Sequence, residues 1–291
     1  MRKIQSSILT VVSLGVLFWL SMRFSSPSKP SAVRTVTLSQ PKSISYIERN
    51  LPQGIAHILL VPANNQFLVT PALSSTMNTV EEFAEKYQAV AILNAGFFDP
   101  VNQKSTSYVV VNRQLIADPK DNERLMNNAK LKPYMNLILN RSEFRRYLCG
   151  QTTRYSIALH NQSPPADCRL VDVIGAGPRL LPLVTSKQEG FVNNALESKQ
   201  LNARTAFGIT DDGSIILVMV AQKPSQPNNS GMSLPQLADL MKSLGAKEAM
   251  NFDGGSSSSL YFQGKTFYGK VDKQGNLIKR PVKSVLMVQQ N

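Results

Sequence analysis

A capped helix, a buried strand and a polar loop follow one another in the first informative stretch of this chain. Thr79 and the glutamate three residues later have the spacing of a capping box, which predicts a helix to about Tyr87. The apolar run 89–93 then predicts a fully buried strand. It leads into the loop 94–100, which contains asparagine, glycine and aspartate. Loops held by rigid strands often carry binding and catalytic groups, so this loop is a candidate for the functional site.

The same order occurs again near the carboxyl terminus. Ser233 is predicted to cap a helix that has proline in its first turn, and Gly245 ends it. A short strand at 249–252 leads into the loop 253–259, which has one aspartate, two glycines and four serines. Two loops of the same kind are therefore expected to carry the chemistry.

Further apolar runs predict additional strands, and the charged segment 118–147 is predicted to form one or two short helices. The strand candidates are 55–61, 67–70, 108–111, 205–209, 215–221 and 284–288. Strands in mixed order with few helices favour an α+β fold: a single domain with a mixed or antiparallel sheet and flanking helices.

The amino terminus indicates export. Two basic residues precede the uncharged, apolar run 4–22, which is about long enough to cross a bilayer as a helix. We expect a membrane anchor or signal segment at 1–24, a proline-containing linker at 25–31 and one domain at 32–291. The domain would then be periplasmic or extracellular and anchored to the membrane. Cleavage of a signal peptide and secretion is the alternative.

Export also gives the two cysteines a meaning. Cys149 and Cys168 bracket a proline-containing segment, and a disulfide between them is expected in an oxidising compartment. Two buried free thiols are the alternative. With only two cysteines and two histidines, a zinc finger or a histidine-rich metal centre is excluded.

The charge of the chain indicates an anionic partner. The formal net charge is +13, and 42% of the residues are hydrophobic, which excludes wholesale disorder. Nucleic acid, a membrane surface and a phosphate-bearing glycan would each suit a basic protein. No nucleic-acid binding is expected, because export is predicted and the basic residues form no stripe interleaved with aromatic residues.

Single motifs in the two loops have alternative interpretations. Glycines near Asp253 would let backbone N–H groups approach an anion, although such a string is also typical of a polar turn. No lysine follows as in a Walker loop, and no nucleophile elbow is present. Arg204 is either a phosphate ligand or a surface charge.

Taken together and in order, five segments are more specific. They are NAGFFD (94–99), GAGPRLL (175–181), RTAFGI (204–209), GMSL (231–234) and NFDGGSS (251–257). This series resembles the phosphodiester glycosidase family, over roughly residues 54–288, and is most similar to its anchored bacterial members, which are associated with exopolysaccharide biosynthesis. The resemblance implies an α+β fold with the motif loops around one cleft, and hydrolysis of a bond between a sugar and a phosphodiester.

The resemblance also implies roles for individual residues. Asp99 and Asp253 are the candidate catalytic carboxylates. The remaining candidates would bind substrate, with Arg204 and the backbone at the two glycines after Asp253 holding the phosphate; they are Asn94, Gly96, Arg204, Asn251, Gly254, Gly255, Ser256 and Ser257.

The predicted function is that of an exported hydrolase that removes a sugar from a sugar-1-phosphodiester in an envelope or extracellular glycan. The alternative is a non-catalytic module of exopolysaccharide biosynthesis that binds an anionic glycan. The expected partners are a phosphate-linked sugar or anionic glycan, and the membrane through the N-terminal helix. No cofactor is expected: a divalent cation would fit the two aspartates, but no residue pattern requires it, and no metal ligands are assigned.

Overall fold

A computed structural model describes residues 43–191 and 200–291 of the chain. The expected anchor at 1–24 and linker at 25–31 lie outside the described residues. Within them, no helix has the length and apolar character needed to span a bilayer. The described residues pack as a single domain.

Strands dominate the domain. In chain order they are β1 Ser45–Leu51, β2 Gly54–Val61, β3 Phe67–Asn78, β4 Ala91–Asn94, β5 Val109–Val111, β6 Gln114–Ala117, β7 Ser142–Cys149, β8 Thr152–Leu159, β9 Cys168–Gly175, β10 Arg179–Leu181, β11 Arg204–Thr210, β12 Ile215–Ala221, β13 Ala246–Asn251, β14 Ser259–Phe262, β15 Lys265–Tyr268 and β16 Val282–Gln290. The α-helices are α1 Val80–Tyr87, α2 Glu123–Met126, α3 Met135–Ile138 and α4 Leu234–Ser243. Short 3-10 helices occur at Pro119–Asp121, Lys132–Tyr134 and Gly255–Ser257.

The strands form three sheets. The first has the order β1-β2-β12-β11-β13-β10, the second β15-β14-β4-β16-β3 and the third β6-β5-β9-β7-β8. Every pairing between these described strands is antiparallel. The single domain and the antiparallel pairing are confirmed, but the structure is mostly β, with three sheets where one was expected.

The predicted helices at 118–147 are only partly confirmed. Short helical turns occupy this segment up to Ile138, whereas the end of the segment belongs to β7. This strand lies between β9 and β8 in the third sheet, and residues 142–147 are buried on both faces. A strand in that position buries charged residues such as Arg145, so its sequence lacks the polar-apolar alternation that would have indicated a strand.

The predicted capping box at Thr79 is present, and the predicted cap at Ser233 is also part of a capping box. Thr79 accepts a hydrogen bond from the Glu82 amide, and the Glu82 side chain accepts one from the Thr79 amide. Ser233 and Gln236 form the same reciprocal pair at the start of α4. Each helix therefore begins where the sequence places it, because capping satisfies backbone donors that the first helical turn leaves unpaired.

The main hydrophobic core lies where the three sheets meet. Phe207 of β11, Leu93 of β4 and Phe144 of β7 belong to the same buried cluster. The rings of Phe144 and Phe207 pack edge to face with their centroids 5.1 Å apart. The two longer helices cover other faces: Leu237 of α4 packs in the cluster of the first sheet, and Phe83 of α1 in that of the second. This core holds the ends of β4 and β13, which carry the motif loops.

The expected disulfide is confirmed. Cys149 and Cys168 lie opposite each other on β7 and β9 and are bonded. The two cysteines are 19 residues apart in the sequence. Their disulfide links β7 to β9 across the β7–β8 hairpin and the loop that follows it.

Candidate active site

Asn94 joins the two motif loops at the end of β4. Its side-chain Nδ2 donates to the main-chain oxygen of Asp253 at 2.6 Å, and the Asp253 amide donates to the Ala95 oxygen at 2.8 Å. The Asn94 Oδ1 accepts from Thr205 Oγ1 at 2.8 Å and from the Ser259 amide at 3.0 Å. Asn94 is fully buried. It therefore holds the two motif loops in position and is not exposed to bind substrate itself.

The carboxyl group of Asp253 lies at this junction. Burial raises its pKa to about 6, against the opposing effects of a hydrogen bond from Ser257, the positive charge of Arg280 and a hydrogen bond from the Gly254 amide. The residue keeps some solvent exposure. A carboxyl group with a pKa near neutrality can exchange a proton with a substrate or with water, which is the property required of a general acid or base.

Asp99 has different surroundings, in the turn that follows the first motif. Its Oδ1 accepts from the Val101 amide at 2.8 Å, and its Oδ2 accepts from Arg124 Nε at 2.8 Å. Burial acts to raise the pKa of Asp99, but these hydrogen bonds and the Arg124 charge outweigh it, so the pKa lies below its ordinary value. Asp99 is therefore ionised at neutral pH, and both of its oxygens hold the loop in shape.

The glycines after Asp253 are placed by close packing. A Cβ on Gly254 would lie 3.0 Å from the Ala203 oxygen, and Gly255 has a φ of 61°. The Gly255 amide donates to the Ala203 oxygen at 2.8 Å, and the Gly254 amide donates to the Asp253 carboxyl. These amides are used inside the loop, as in a polar turn, which was the alternative to an anion-binding nest. Side chains are therefore the better candidates for holding a phosphate.

Arg280 supplies such a side chain, and the sequence analysis missed it. Its Nη1 donates to Ser256 Oγ at 2.5 Å, and its guanidinium lies over the Phe98 ring, 5.1 Å from the centroid. It thus bridges the two motif loops, and its charge acts on Asp253. Arg280 lies 27 residues after Asp253 in the sequence. The one local signal for it is the basic pair Lys279-Arg280, just before the last strand.

Arg204 is fully buried beside the glycines of the second loop. Its Nε donates to the Met232 oxygen at 2.8 Å and its Nη2 to the Gln200 oxygen at 2.9 Å. Loss of solvation lowers the pKa of Arg204 to about 10, so the side chain stays charged at neutral pH. It adds a fixed positive charge behind the loop, where Lys270 adds a second cation.

Gly96 and Asn251 lie where the motif loops pack against neighbouring segments. A Cβ on Gly96 would lie 2.9 Å from Ser284 Oγ and 3.2 Å from the Gly175 oxygen, so no larger residue fits without movement. Asn251 is buried, and its Nδ2 donates to the Gly177 oxygen at 2.9 Å. Asn251 therefore attaches the second motif loop to the 175–181 segment, and Gly96 lets the first motif loop pack closely against Ser284 and Gly175.

Arg141, which the sequence analysis also missed, places a positive charge beside Phe97. The Arg141 guanidinium stacks 3.8 Å from the centroid of Phe191 and 5.8 Å from that of Phe97. Loss of solvation lowers the pKa of Arg141 to about 10, partly offset by the charge of Glu189. The NAGFFD loop therefore has a cation against each of its two aromatic rings.

No metal cluster is present in the part of the chain that the structure describes: no three His, Cys, Asp or Glu side chains come close enough together to hold an ion. Asp99 and Asp253 are the acids of the two motif loops: Asp99 forms an ion pair with Arg124, whereas Asp253 experiences the positive charge of Arg280 without a direct bond to it.

The fold resembles solved structures of low sequence identity. The catalytic domain of zebrafish N-acetylglucosamine-1-phosphodiester alpha-N-acetylglucosaminidase, auto-inhibited by its pro-peptide, is 17% identical with a TM-score of 0.62, over 86% of this chain and 83% of that one. A hypothetical protein from Synechocystis is 16% identical with a TM-score of 0.58, over 86% of this chain and 62% of that one. A Burkholderia pseudomallei protein is 16% identical with a TM-score of 0.56, over 81% of this chain and 74% of that one.

At the level of sequence, a comparison with the curated proteins gives no match. A family model for phosphodiester glycosidase matches residues 87–289, which include both motif loops and Arg280. Because that match covers most of the chain and all the residues that meet around Asp253, the chain belongs to the phosphodiester glycosidase family.

Proposed function

We propose that this protein is an exported hydrolase that removes a sugar from a sugar-1-phosphodiester of an envelope or extracellular glycan. The observation that carries the proposal is the position of Asp253: a carboxyl group with a pKa of about 6, joined to the NAGFFD loop and facing the charge of Arg280. Family membership supports the reaction class.

The chemistry needs a carboxylate and cations in one place. Hydrolysis breaks the bond between the anomeric carbon and a phosphate oxygen. The departing phosphate is a stable anion, so it needs less help from a general acid than an ordinary alcohol does. The site must then supply a carboxylate for the positive charge that develops at the anomeric carbon, and cations for the phosphate.

Asp253 would provide the carboxylate. In its ionised form it takes the proton of the attacking water, and the oxygen of that water bonds to the anomeric carbon as the phosphate leaves. Arg280 would hold the phosphate, since guanidinium groups match phosphate oxygens in geometry and charge. Arg204 would contribute its charge from behind the loop, and Ser256 and Ser257 would contribute hydroxyl groups.

The other predicted residues would position these groups. Asn94 and Asn251 hold the loops in place, Gly96 permits close packing beside Ser284, and Asp99 keeps the NAGFFD loop in shape through Val101 and Arg124. The apolar C–H face of the sugar ring would then lie against this loop, where Phe97 and Phe98 supply aromatic rings.

Export and anchoring are part of the proposal. The disulfide between Cys149 and Cys168 supports an oxidising compartment, because such bonds are rare in a reducing cytosol. Protease added to intact cells or spheroplasts should digest the domain, while a cytoplasmic marker stays intact; protection of the domain alongside that marker would contradict export.

The function is tested with the full chain in mild detergent and a panel of sugar-1-phosphodiesters that includes UDP-N-acetylglucosamine. Released reducing sugar is measured for the native protein, for Asp253→Asn and for Asp239→Asn, which changes an exposed aspartate on α4. We expect release that Asp253→Asn abolishes and Asp239→Asn leaves unchanged. No release from any substrate, or equal release by Asp253→Asn, counts against the proposal. Retention of an anionic glycan without turnover would favour the binding module.

A further inference from the structure

A depression lined by arginines lies on the third sheet, apart from the residues of the candidate active site. Its volume is about 400 Å³, and it is lined by Asn112, Arg113, Arg146, Leu148, Arg169 and Val171. We propose that this depression is a second binding site, which holds the acidic groups of an anionic polysaccharide. Retention of a polymer at this depression would not depend on hydrolysis, because it uses residues outside the candidate active site.

Of the three arginines in the depression, one is paired with a carboxylate and two are available to a ligand. Arg146 is nearly buried and pairs with the fully buried Asp172, with Nε to Oδ2 at 2.6 Å. Arg113 and Arg169 are exposed, and across 43–191 and 200–291 no carboxylate forms an ion pair with either. Two guanidinium groups are thus left for anions, and guanidinium binds carboxylate, phosphate and sulfate oxygens in pairs.

The backbone presents Arg113 in a conformation that favours glycine. Asn112 and Arg113 form the two-residue turn between β5 and β6, with φ values of 50° and 69°. Turns of this kind usually have glycine at the second position, because a side chain is disfavoured at positive φ. Keeping an arginine there has an energetic cost, and uncommon backbone conformations of this sort concentrate at functional sites.

Buried hydrogen bonds hold this turn against the sheet. Asp172 Oδ1 accepts from the Asn112 amide at 2.8 Å, while its Oδ2 accepts from Thr70 Oγ1 at 2.6 Å and from Arg146. The Arg113 amide donates to the Val171 oxygen at 2.7 Å. The same buried carboxylate therefore orients the turn and Arg146, so the depression is already formed before a ligand arrives.

The lining favours a glycan over nucleic acid. Sites for single-stranded nucleic acid combine cations with aromatic side chains on which bases stack. The side chains lining this depression include no aromatic ring. Spaced acidic groups on a sugar polymer need only the guanidinium groups, and the net charge of +13 favours a polyanion in general.

The test measures equilibrium binding of the full chain in mild detergent to oligogalacturonate, a phosphorylated oligomannoside, neutral dextran and a single-stranded oligonucleotide. The two acidic glycans distinguish carboxylate from phosphate as the bound group. Arg113→Gly is the sharpest variant, because glycine suits the turn. We expect it to weaken binding of the preferred acidic glycan about fivefold while the melting temperature stays equal or rises.

Two further variants separate the site from general charge. Arg113→Gly with Arg169→Ala should weaken glycan binding at least about tenfold and leave release from small sugar-1-phosphodiesters unchanged. The control, Arg49→Ala with Lys242→Ala, removes two exposed charges elsewhere and should stay within about twofold. Equal losses in both double variants, undiminished binding by Arg113→Gly, binding to dextran as tight as to the acidic glycans, or tighter binding of the oligonucleotide would each overturn the proposal.

Discussion

The side-chain amide of Asn94 donates to the main-chain oxygen of Asp253 at 2.6 Å, across 159 residues of sequence. This bond joins the end of β4 in the second sheet to the loop after β13 in the first. The position of the proposed catalytic carboxyl group therefore depends on how the first and second sheets pack, and the buried side-chain amide of Asn94 links the two.

Replacing Asn94 should loosen that junction. Asn94→Ala removes three side-chain hydrogen bonds. Thr205 Oγ1 and the Ser259 amide, which are both buried, then lose the oxygen to which they donate. We expect the free energy of unfolding to fall by about 3 kcal/mol. Urea unfolding measures this, with Asn50→Ala on the exposed end of β1 as the control. A loss below about 0.5 kcal/mol, the usual range of a surface substitution, would contradict the assigned role.

Replacing Asp253 should stabilise the protein at neutral pH. Its pKa of about 6 in the folded chain lies above that of an unfolded aspartate, so the folded state binds the proton more tightly. Stability therefore falls as the pH rises from about 4 to 6, and ionised Asp253 is a cost above that range. Asp253→Asn should raise the free energy of unfolding at pH 7 by about 1–3 kcal/mol. The gain should vanish at pH 4, which unfolding at the two pH values would show; equal gains at both would exclude ionisation as the cause.

The pH dependence of turnover should report on Arg280. Because Asp253 must be ionised to act, kcat/KM should fall below about pH 6. Arg280→Ala removes a charge that lowers the Asp253 pKa, so this acid limb should move upward by roughly 0.5–1 pH unit. Arg280→Lys should keep most of the original limb, and Lys279→Ala, next to it in the chain, should leave the limb in place. If the acid limb of Arg280→Ala stays in place, the charge of Arg280 does not influence the pKa of Asp253.

Loss of the disulfide should affect stability more than turnover. The bond between Cys149 and Cys168 closes a segment of 19 residues in the third sheet, whereas β4 and β13, which carry the motif loops, belong to the other two sheets. The double variant Cys149→Ser with Cys168→Ser should lose about 3 kcal/mol of unfolding free energy. Urea unfolding of the native protein with and without reductant provides the comparison. Unchanged stability in both experiments would show that this loop is constrained by other contacts.

Local features of the sequence predicted a large part of the secondary structure. The two capping boxes at Thr79 and Ser233 define where α1 and α4 begin, since a cap depends on residues three positions apart. Long apolar runs such as 215–221 predicted β12 within the same bounds. Strands with charged residues, β7 above all, were missed because buried ion pairs hide the apolar pattern.

By itself, the sequence determined the order of the motifs, the two loops with their aspartates, the cysteine pair and the family to which the chain belongs. Only the tertiary structure decided which strands pair into three sheets and which side chains surround Asp253. The physical reason is that strand pairing and contacts such as Asn94 to Asp253 or Arg280 to Ser256 join residues far apart in the chain. Local propensity carries no information about such partners, and burial among them sets the pKa of Asp253.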